Sequence, residues 1–439
     1  MTSVDVVADW PFIPGSGPLI VDGDGAWLIR DDGQRILDAA GGAIVTNVGH
    51  GRAEVAEAIA KASRGNTFVV PTWRTKERDA LARRLRERWL PDGLHHLHFT
   101  CGGSEGNEAA VKIALTHFAA KGETRRIKVM SRALSYHGTT IAMVGLSGHQ
   151  SRKRGLEGFV QRFPSVPTPW PLRCPLGAHH PDAGAYYVQA TRAAIEAEGP
   201  DTVAALVVEP MTGSSGGAIV PPDDYLPGVR ALCDEFGILM IVDEVMTGFG
   251  RTGAKFGVNH WDVTPDLMVG GKGLAGGYAP ITGVFASREV AAPLIENGYD
   301  VMFHTFAALP SACAAADAVL TILERENLVE RAKIQGARLA DQLHARLGQH
   351  PNVAEIRGKG LLQALEIVRD RDTLEPFAPE ERITNRIVSH GLKHGVFFYP
   401  GGTGVVREIV CLGPPLISTD AEVDLMAEVL ERSIREVLG

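Results

Sequence analysis

The sequence has no C-x-x-C pair, and its five cysteines (Cys101, Cys174, Cys233, Cys313 and Cys411) are odd in number and far apart. A disulfide framework needs even, closer spacing, so free thiols in a reducing compartment are expected. No apolar run approaches the roughly 18–20 residues that span a bilayer. The opening MTSVDVVADWPFIPG carries acidic residues and lacks both a basic n-region and an apolar h-region. It does not read as a secretory leader, and a cytoplasmic location is expected. Positive charge is in deficit, with 44 Lys and Arg against 52 Asp and Glu, a net charge of −8. Without a basic run or an aromatic-basic stripe, this argues against nucleic-acid binding. His95, His96 and His98, and the group Cys174, His179 and His180, miss the common zinc spacings, so no metal is expected.

Glycine, by contrast, is plentiful: 50 of 439 residues, where an average chain carries roughly 7%. Glycine serves where φ must be positive or where backbone must approach something closely. The pairs Gly102–Gly103, Gly270–Gly271 and Gly276–Gly277 suit either ordinary α/β turns or loops gathered around one ligand. Hydrophobic residues make up 45% and charged residues 22%, which is usual for a globular chain. The length fits two or three domains, with a core large enough to need no staple.

Residues 19–38 alternate apolar and polar positions around Asp-Gly pairs and read as short antiparallel strands. Residues 52–63 and 76–89 read as amphipathic helices. From there to about residue 310, short apolar runs (LHHLHFT, IKVMSRA, VAALVVEP, ILMIVDEV, DLMVGG) alternate with several helical stretches. That pattern predicts a largely parallel sheet covered on both faces. Residues 311–347 are strongly helical, with Leu339, Leu343 and Leu347 on one face and Gly348 as a stop. LLQALEIV, GVFFYP and EIVCL then read as strands before a final helix from about Asp420.

Four junctions place polar residues directly after a strand, where open α/β sheets bind ligands. In FTCGGSEGNEAAVK, two glycines precede Ser104 at a helix start. This is either an ordinary N-cap or an anion site built from free N–H groups. In SYHG, Tyr136 offers either simple packing or a flat ring for a planar ligand. In IVDEV, Asp243 and Glu244 end a buried strand, where a carboxylate is costly unless paired. In VGGKGLAGGYAP, Lys272 sits among glycines, where burial can turn a lysine into a nucleophile.

Taken together the junctions say more than any one of them. Asp243 precedes Lys272 by about one strand–crossover–strand unit, for which roughly 30 residues is usual. Both side chains can therefore emerge at one sheet edge. An anion site, an aromatic face, a carboxylate and a nucleophilic lysine are the parts that pyridoxal 5′-phosphate (PLP) requires. A carboxylate beside the pyridine nitrogen keeps the ring an electron sink.

The sequence resembles the class III (omega) aminotransferases, a group of fold type I PLP-dependent enzymes, over nearly its whole length. The resemblance rests on FTCGGSEGNEAAVK, SYHG, VVEPM, IVDEVMTGFGRTG, GGKGLAGGYAP and HTFAALPSACAAA. It implies an α/β fold: a large cofactor-binding domain over 56–310 with a mostly parallel, seven-stranded-type sheet covered by helices. A smaller α+β domain would be formed from 1–55 and 311–439. It implies Lys272, Asp243 and Tyr136 as catalytic residues, with Lys272 carrying the internal aldimine. Gly103 and Ser104 would bind the phosphate, His137 would lie beside the ring, and Val245 would pack on the face opposite Tyr136. Glu209 would support the surrounding hydrogen bonds. Thr305 would reach the neighbouring subunit's phosphate in a homodimer. Trp73 and Arg407 would contact substrate, with Arg74 a further candidate for its carboxylate. The implied activity moves an amino group from an amine or amino acid to a keto acid such as pyruvate or 2-oxoglutarate by a ping-pong mechanism. The sequence departs from the family's usual residues at Gly106, Thr212 and Leu309.

Racemases, aminomutases and decarboxylases share this broad group and are the alternative. A remote one is a nicotinamide-dependent oxidoreductase, because GFGRTG at 248–253 matches G-x-G-x-x-G. That motif needs a tight strand–turn–helix, and AKFGVNHWDV makes a poor helix.

Overall fold

The computed structural model describes residues 17–403 and 406–439. The opening segment MTSVDVVADWPFIPG, read above as no leader, lies wholly outside them. Strands β1 (Ile20–Asp24), β2 (Trp27–Arg30) and β3 (Arg35–Asp38) form the antiparallel meander that the Asp-Gly turns predict. The helices that follow are Ala53–Gly65 and Lys76–Arg84, the latter running on as a π-helical turn through Trp89.

Seven strands build the large sheet. They are β4 (Leu94–Thr100), β5 (Lys128–Arg132), β6 (Ser165–Val166), β7 (Val203–Val208), β8 (Leu239–Asp243), β9 (Leu267–Gly270) and β10 (Thr282–Ser287). Their order is β4-β10-β9-β8-β7-β5-β6. Only β10 runs against its neighbours, so the other six strands point the same way. Every residue of β7, β9 and β10 is buried. This explains why VAALVV and LMVG are continuous apolar runs rather than alternating ones: both faces are covered.

A third sheet, with order β11-β12-β15-β14, takes in β11 (Val353–Lys359), β12 (Leu362–Ile367), β14 (Tyr399–Gly401) and β15 (Ile409–Leu412). Between these, β13 (Val396–Phe397) pairs in parallel with β3, Val396 opposite Leu37. The first and last parts of the chain thus share one sheet.

One detail differs from the sequence reading. The stretch 311–347 is two helices, Pro310–Arg325 and Leu328–Leu347, broken where Asn327 turns left-handed at φ 49°. Asparagine tolerates that conformation better than other side chains, so no glycine is needed. The predicted face holds: Leu339, Leu343 and Leu347 are fully buried. The crossover from β8 to β9 has no α-helix, in keeping with the poor helix expected of AKFGVNHWDV, and contains only a 3₁₀ turn at Gly257–His260. The buried Glu244 carboxylate orders it instead. It accepts the Gly257 and Val258 N–H groups at 2.8 Å each and the Thr247 hydroxyl. GFGRTG lies in this crossover with no helix after it. Its Arg251 is buried and donates to Leu361 O, Pro414 O and Asn47 Oδ1. The motif therefore ties three chain segments together and does not form a dinucleotide turn. Among the described residues, no helix is long and apolar enough to cross a membrane.

Candidate active site

Five of the parallel-pointing strands deliver their following residues to one edge of the large sheet. β4 leads to Gly102–Ser104, β5 to Ser135–Gly138, β7 to Glu209, β8 ends in Asp243 and β9 leads to Lys272. In this sheet Asp243 pairs with Val269, three residues before the lysine. A cavity of about 500 Å³ opens there. Gly103, Ser104, Tyr136, His137, Glu209, Asp243, Val245 and Lys272 all line it.

The helix Gly103–Ala120 opens with Gly102 at the N-cap position, so Ser104 is not the cap. Its hydroxyl is used otherwise: Oγ accepts the Thr139 N–H at 3.0 Å. That bond joins the β4 turn to the β5 turn. The two pack so tightly that a Cβ on Gly138 (φ +140°) would stand 2.5 Å from Ser104 Oγ. The first N–H groups of the helix face no intrahelical acceptor, and with the positive end of the helix dipole they favour an anion.

Asp243 is buried and held from three sides. Oδ2 accepts from Asn107 Nδ2 at 2.8 Å and meets His137 Nδ1 at 2.9 Å, while Oδ1 accepts the Val245 N–H at 3.0 Å. The second ring nitrogen of His137 and Oδ1 of Asn107 are buried, with no hydrogen-bond partner among the described residues. Glu209 is also buried, and burial raises its carboxyl above the ordinary range. It accepts Tyr136 N–H at 3.2 Å and Gly213 N–H at 2.8 Å, which fixes the tyrosine turn.

Lys272 follows Gly271 with φ +42°. A side chain in this left-handed region is strained, and such strain gathers where function demands a geometry. Burial pushes its amine down to about 8, against the pull of Asp243 and Glu209. Near neutrality a usable share of Nζ is therefore unprotonated, as a nucleophile requires.

The residues fit PLP as a group. Each chemical part has a matching feature: an N–H cradle with tight glycines, a carboxylate held ready, an aromatic wall and an amine of lowered pKa. An aldehyde–phosphate on a flat ring calls for this donor set.

Other expected residues lie elsewhere on the single chain. Thr305 is exposed in the segment before the Pro310–Arg325 helix. Trp73 is 70% exposed, Arg74 is paired with Asp79 at 2.8 Å, and Arg407 does not line the cavity. The sequence reading missed Asn107. It lies one helical turn beyond Gly103, so the polar face of the helix start carried the signal.

The sequence model of the family described as Aminotransferase class-III matches residues 15–434. The chain is 35% identical to adenosylmethionine-8-amino-7-oxononanoate aminotransferase of Geobacter sulfurreducens, covering 96% of this chain and 92% of that one. It is 34% identical to taurine–pyruvate aminotransferase of Bilophila wadsworthia, over 95% of this chain and 92% of that one. A crystal structure of an amine transaminase from an uncultivated Pseudomonas species, in its PLP-bound form, superposes with a TM-score of 0.91 at 33% identity. It covers 99% of this chain and 97% of that one.

Proposed function

The chain belongs to the class III aminotransferases, and on that footing we propose that it moves an amino group from an amine or amino acid, terminal amines included, to a keto acid such as pyruvate or 2-oxoglutarate. Donor and acceptor would use one site in turn, in ping-pong fashion. The observation that carries this reading is the meeting of Lys272, Asp243 and the Gly103–Ser104 turn in one cavity.

Bound PLP supplies an aldehyde for a primary amine to condense with and a ring that takes up the electron pair left when a proton departs. Lys272 would hold the cofactor through Nζ and, once freed, would move a proton at the substrate's nitrogen-bearing carbon. Asp243, its carboxylate fixed by Asn107, His137 and the Val245 N–H, would keep the ring nitrogen protonated. Gly103, Ser104 and the neighbouring N–H groups would hold the phosphate. Tyr136 and Val245 would flank the ring with His137 near it, and Glu209 braces the tyrosine turn.

The large unit over 56–310 would hold the cofactor, and 1–55 with 311–439 would form the small one. The pairing of β3 with β13 supports that division. A homodimer, with Thr305 contributed across the interface, is supported by the exposure of Met302 (79%) and Phe306 (63%) around it. Trp73 and Arg407 remain the proposed substrate contacts. We read the protein as cytoplasmic; free thiols at all five cysteines support that reading.

The test is a panel of amine donors mixed singly with holoenzyme and followed by cofactor absorbance. Conversion to the amine form with release of a keto or aldehyde product is expected. Racemisation, or loss of CO₂ without such a product, would move the assignment to another PLP reaction.

A further inference from the structure

We propose that Arg152 binds the substrate carboxylate at the mouth of the Lys272 cavity. The proposal rests on the aminotransferase reading, because a keto-acid acceptor brings a carboxylate into the site. Among the described residues the cavity walls offer no cation other than Lys272, and that amine is committed to the cofactor. A carboxylate leaving water needs a charged or hydrogen-bonding partner.

Arg152 is exposed and does not itself line the cavity, but it borders one of the walls. Its guanidinium carbon lies 5.1 Å from the centroid of the Tyr136 ring, and Tyr136 is itself a cavity wall. Stacking on an aromatic face attracts the cation and orders the planar group without using any of its five N–H donors. Among the described residues those donors meet no carboxylate and no hydrogen-bond acceptor. The neighbouring cation is already engaged, since Lys153 Nζ donates to Gly145 O at 3.0 Å.

The base of the side chain is held as well. Arg152 belongs to the 3₁₀ turn Gln150–Lys153, where its N–H donates to His149 O at 3.1 Å. Ser151 Oγ stands 3.1 Å from His149 Nδ1. The groups around the guanidinium are neutral. The His149 ring meets Tyr136 edge-on with centroids 6.1 Å apart. Burial, with the charge of Arg152, pushes this histidine down to about 4. Burial raises the Tyr399 phenol, so it too stays uncharged near neutrality. Among the described residues no carboxylate pairs with the guanidinium, and a bidentate guanidinium–carboxylate pair is the strong form of this contact. Arg152 thus selects substrates by charge, while Lys272 and Asp243 serve any amine that reaches them.

The experiment compares wild-type, Arg152→Ala, Arg152→Lys and Arg407→Ala holoenzymes with one amine donor and two acceptors, pyruvate and uncharged butanal. The ratio of kcat/KM for pyruvate to that for butanal should fall about 10–100-fold in Arg152→Ala, as expected for a lost hydrogen-bonded charge pair. Arg152→Lys should recover part of it. Propionate, which cannot react, is titrated calorimetrically into each holoenzyme, and its Kd should rise at least about tenfold in Arg152→Ala. An unchanged ratio and unchanged propionate binding would overturn the proposal. So would a fall seen in Arg407→Ala but not in Arg152→Ala. If the wild type transfers no amino group to either acceptor, the aminotransferase reading fails instead. The propionate titration then still judges Arg152 alone.

Discussion

Asn107 Nδ2 donates to Asp243 Oδ2 at 2.8 Å, joining the first turns of the Gly103–Ala120 helix to the end of β8 across 136 residues of sequence. The same amide nitrogen lies 3.0 Å from His137 O and 3.1 Å from Gly103 O. One buried side chain therefore links the Gly103–Ser104 turn, the tyrosine turn and the Asp243 carboxylate.

Replacing it should disturb all three. A hydrogen bond to a charged group contributes about 1.5–3 kcal/mol, so Asn107→Ala should lower kcat/KM roughly 10–100-fold. It should also weaken PLP retention, read by titrating the apoprotein and following absorbance. Normal retention and rate would reduce Asn107 to a packing residue.

Lys272→Ala should remove both turnover and the near-visible absorbance of covalently held cofactor. Turnover at the normal rate would defeat the central assignment. In the wild-type apoprotein the amine is pushed down to about 8, and only the neutral form attacks an aldehyde. Uptake of added PLP should therefore quicken as pH rises through about 8 and then level off. Stopped-flow absorbance against pH reads this directly.

The same lysine carries a linkage effect of defined sign. Its unfolded value is about 10.4, above the folded one. Between about pH 8 and 10.4 the unfolded chain holds more protons, so this group adds stability as pH rises. Lys272→Met apoprotein should lack that increment. A Tm difference between the two apoproteins that does not change across this window would contradict it.

Gly106 lies in the first turns of the Gly103–Ala120 helix, where alanine would ordinarily be favoured by about 1 kcal/mol. Here its Cβ would stand 2.6 Å from Thr282 Cγ2 and 2.9 Å from Val269 Cγ1. Both neighbours are short, β-branched and set in buried strands, so neither can swing aside. Overpacking of about 1–3 kcal/mol should win. Gly106→Ala is expected to lower Tm, and a higher Tm in a thermal scan would show that the strands yield.

Glu244 offers a second pH signature. Burial pushes its carboxyl up to about 7, against the Thr247 hydroxyl and the Val258 and Gly257 N–H groups. Its unfolded value is about 4.3. Its stabilisation is thus complete below about 4.3 and is lost as pH rises through about 7. Glu244→Gln does not titrate. The Tm of the wild type minus that of the variant should shrink from pH 4.5 to 7.5. A constant or widening difference would place the charged form as the stable one.

The large sheet was legible in the sequence because its strands are short, buried on both faces and separated by turn signals. VAALVV and LMVG advertise themselves locally. The helix break at Asn327 was not legible, since the apolar periodicity continues on either side of it. The Glu244 crossover also escaped, because a buried carboxylate binding N–H groups 13 and 14 residues away leaves no periodic trace.

By itself the sequence determined which side chains end the strands, and so which chemical parts could meet at one sheet edge: Lys272, Asp243, Tyr136 and the Gly103–Ser104 turn. Period and spacing suffice for that, because strand direction and strand length carry the residues there. The tertiary structure alone decided that Asn107 braces Asp243, that Arg251 serves a structural junction, that Trp73 and Thr305 are exposed and outside the lining of the single chain's cavity, and that Arg152 lies over Tyr136. Those are contacts between groups whose closeness depends on how turns pack in space. No local pattern in the chain encodes that packing.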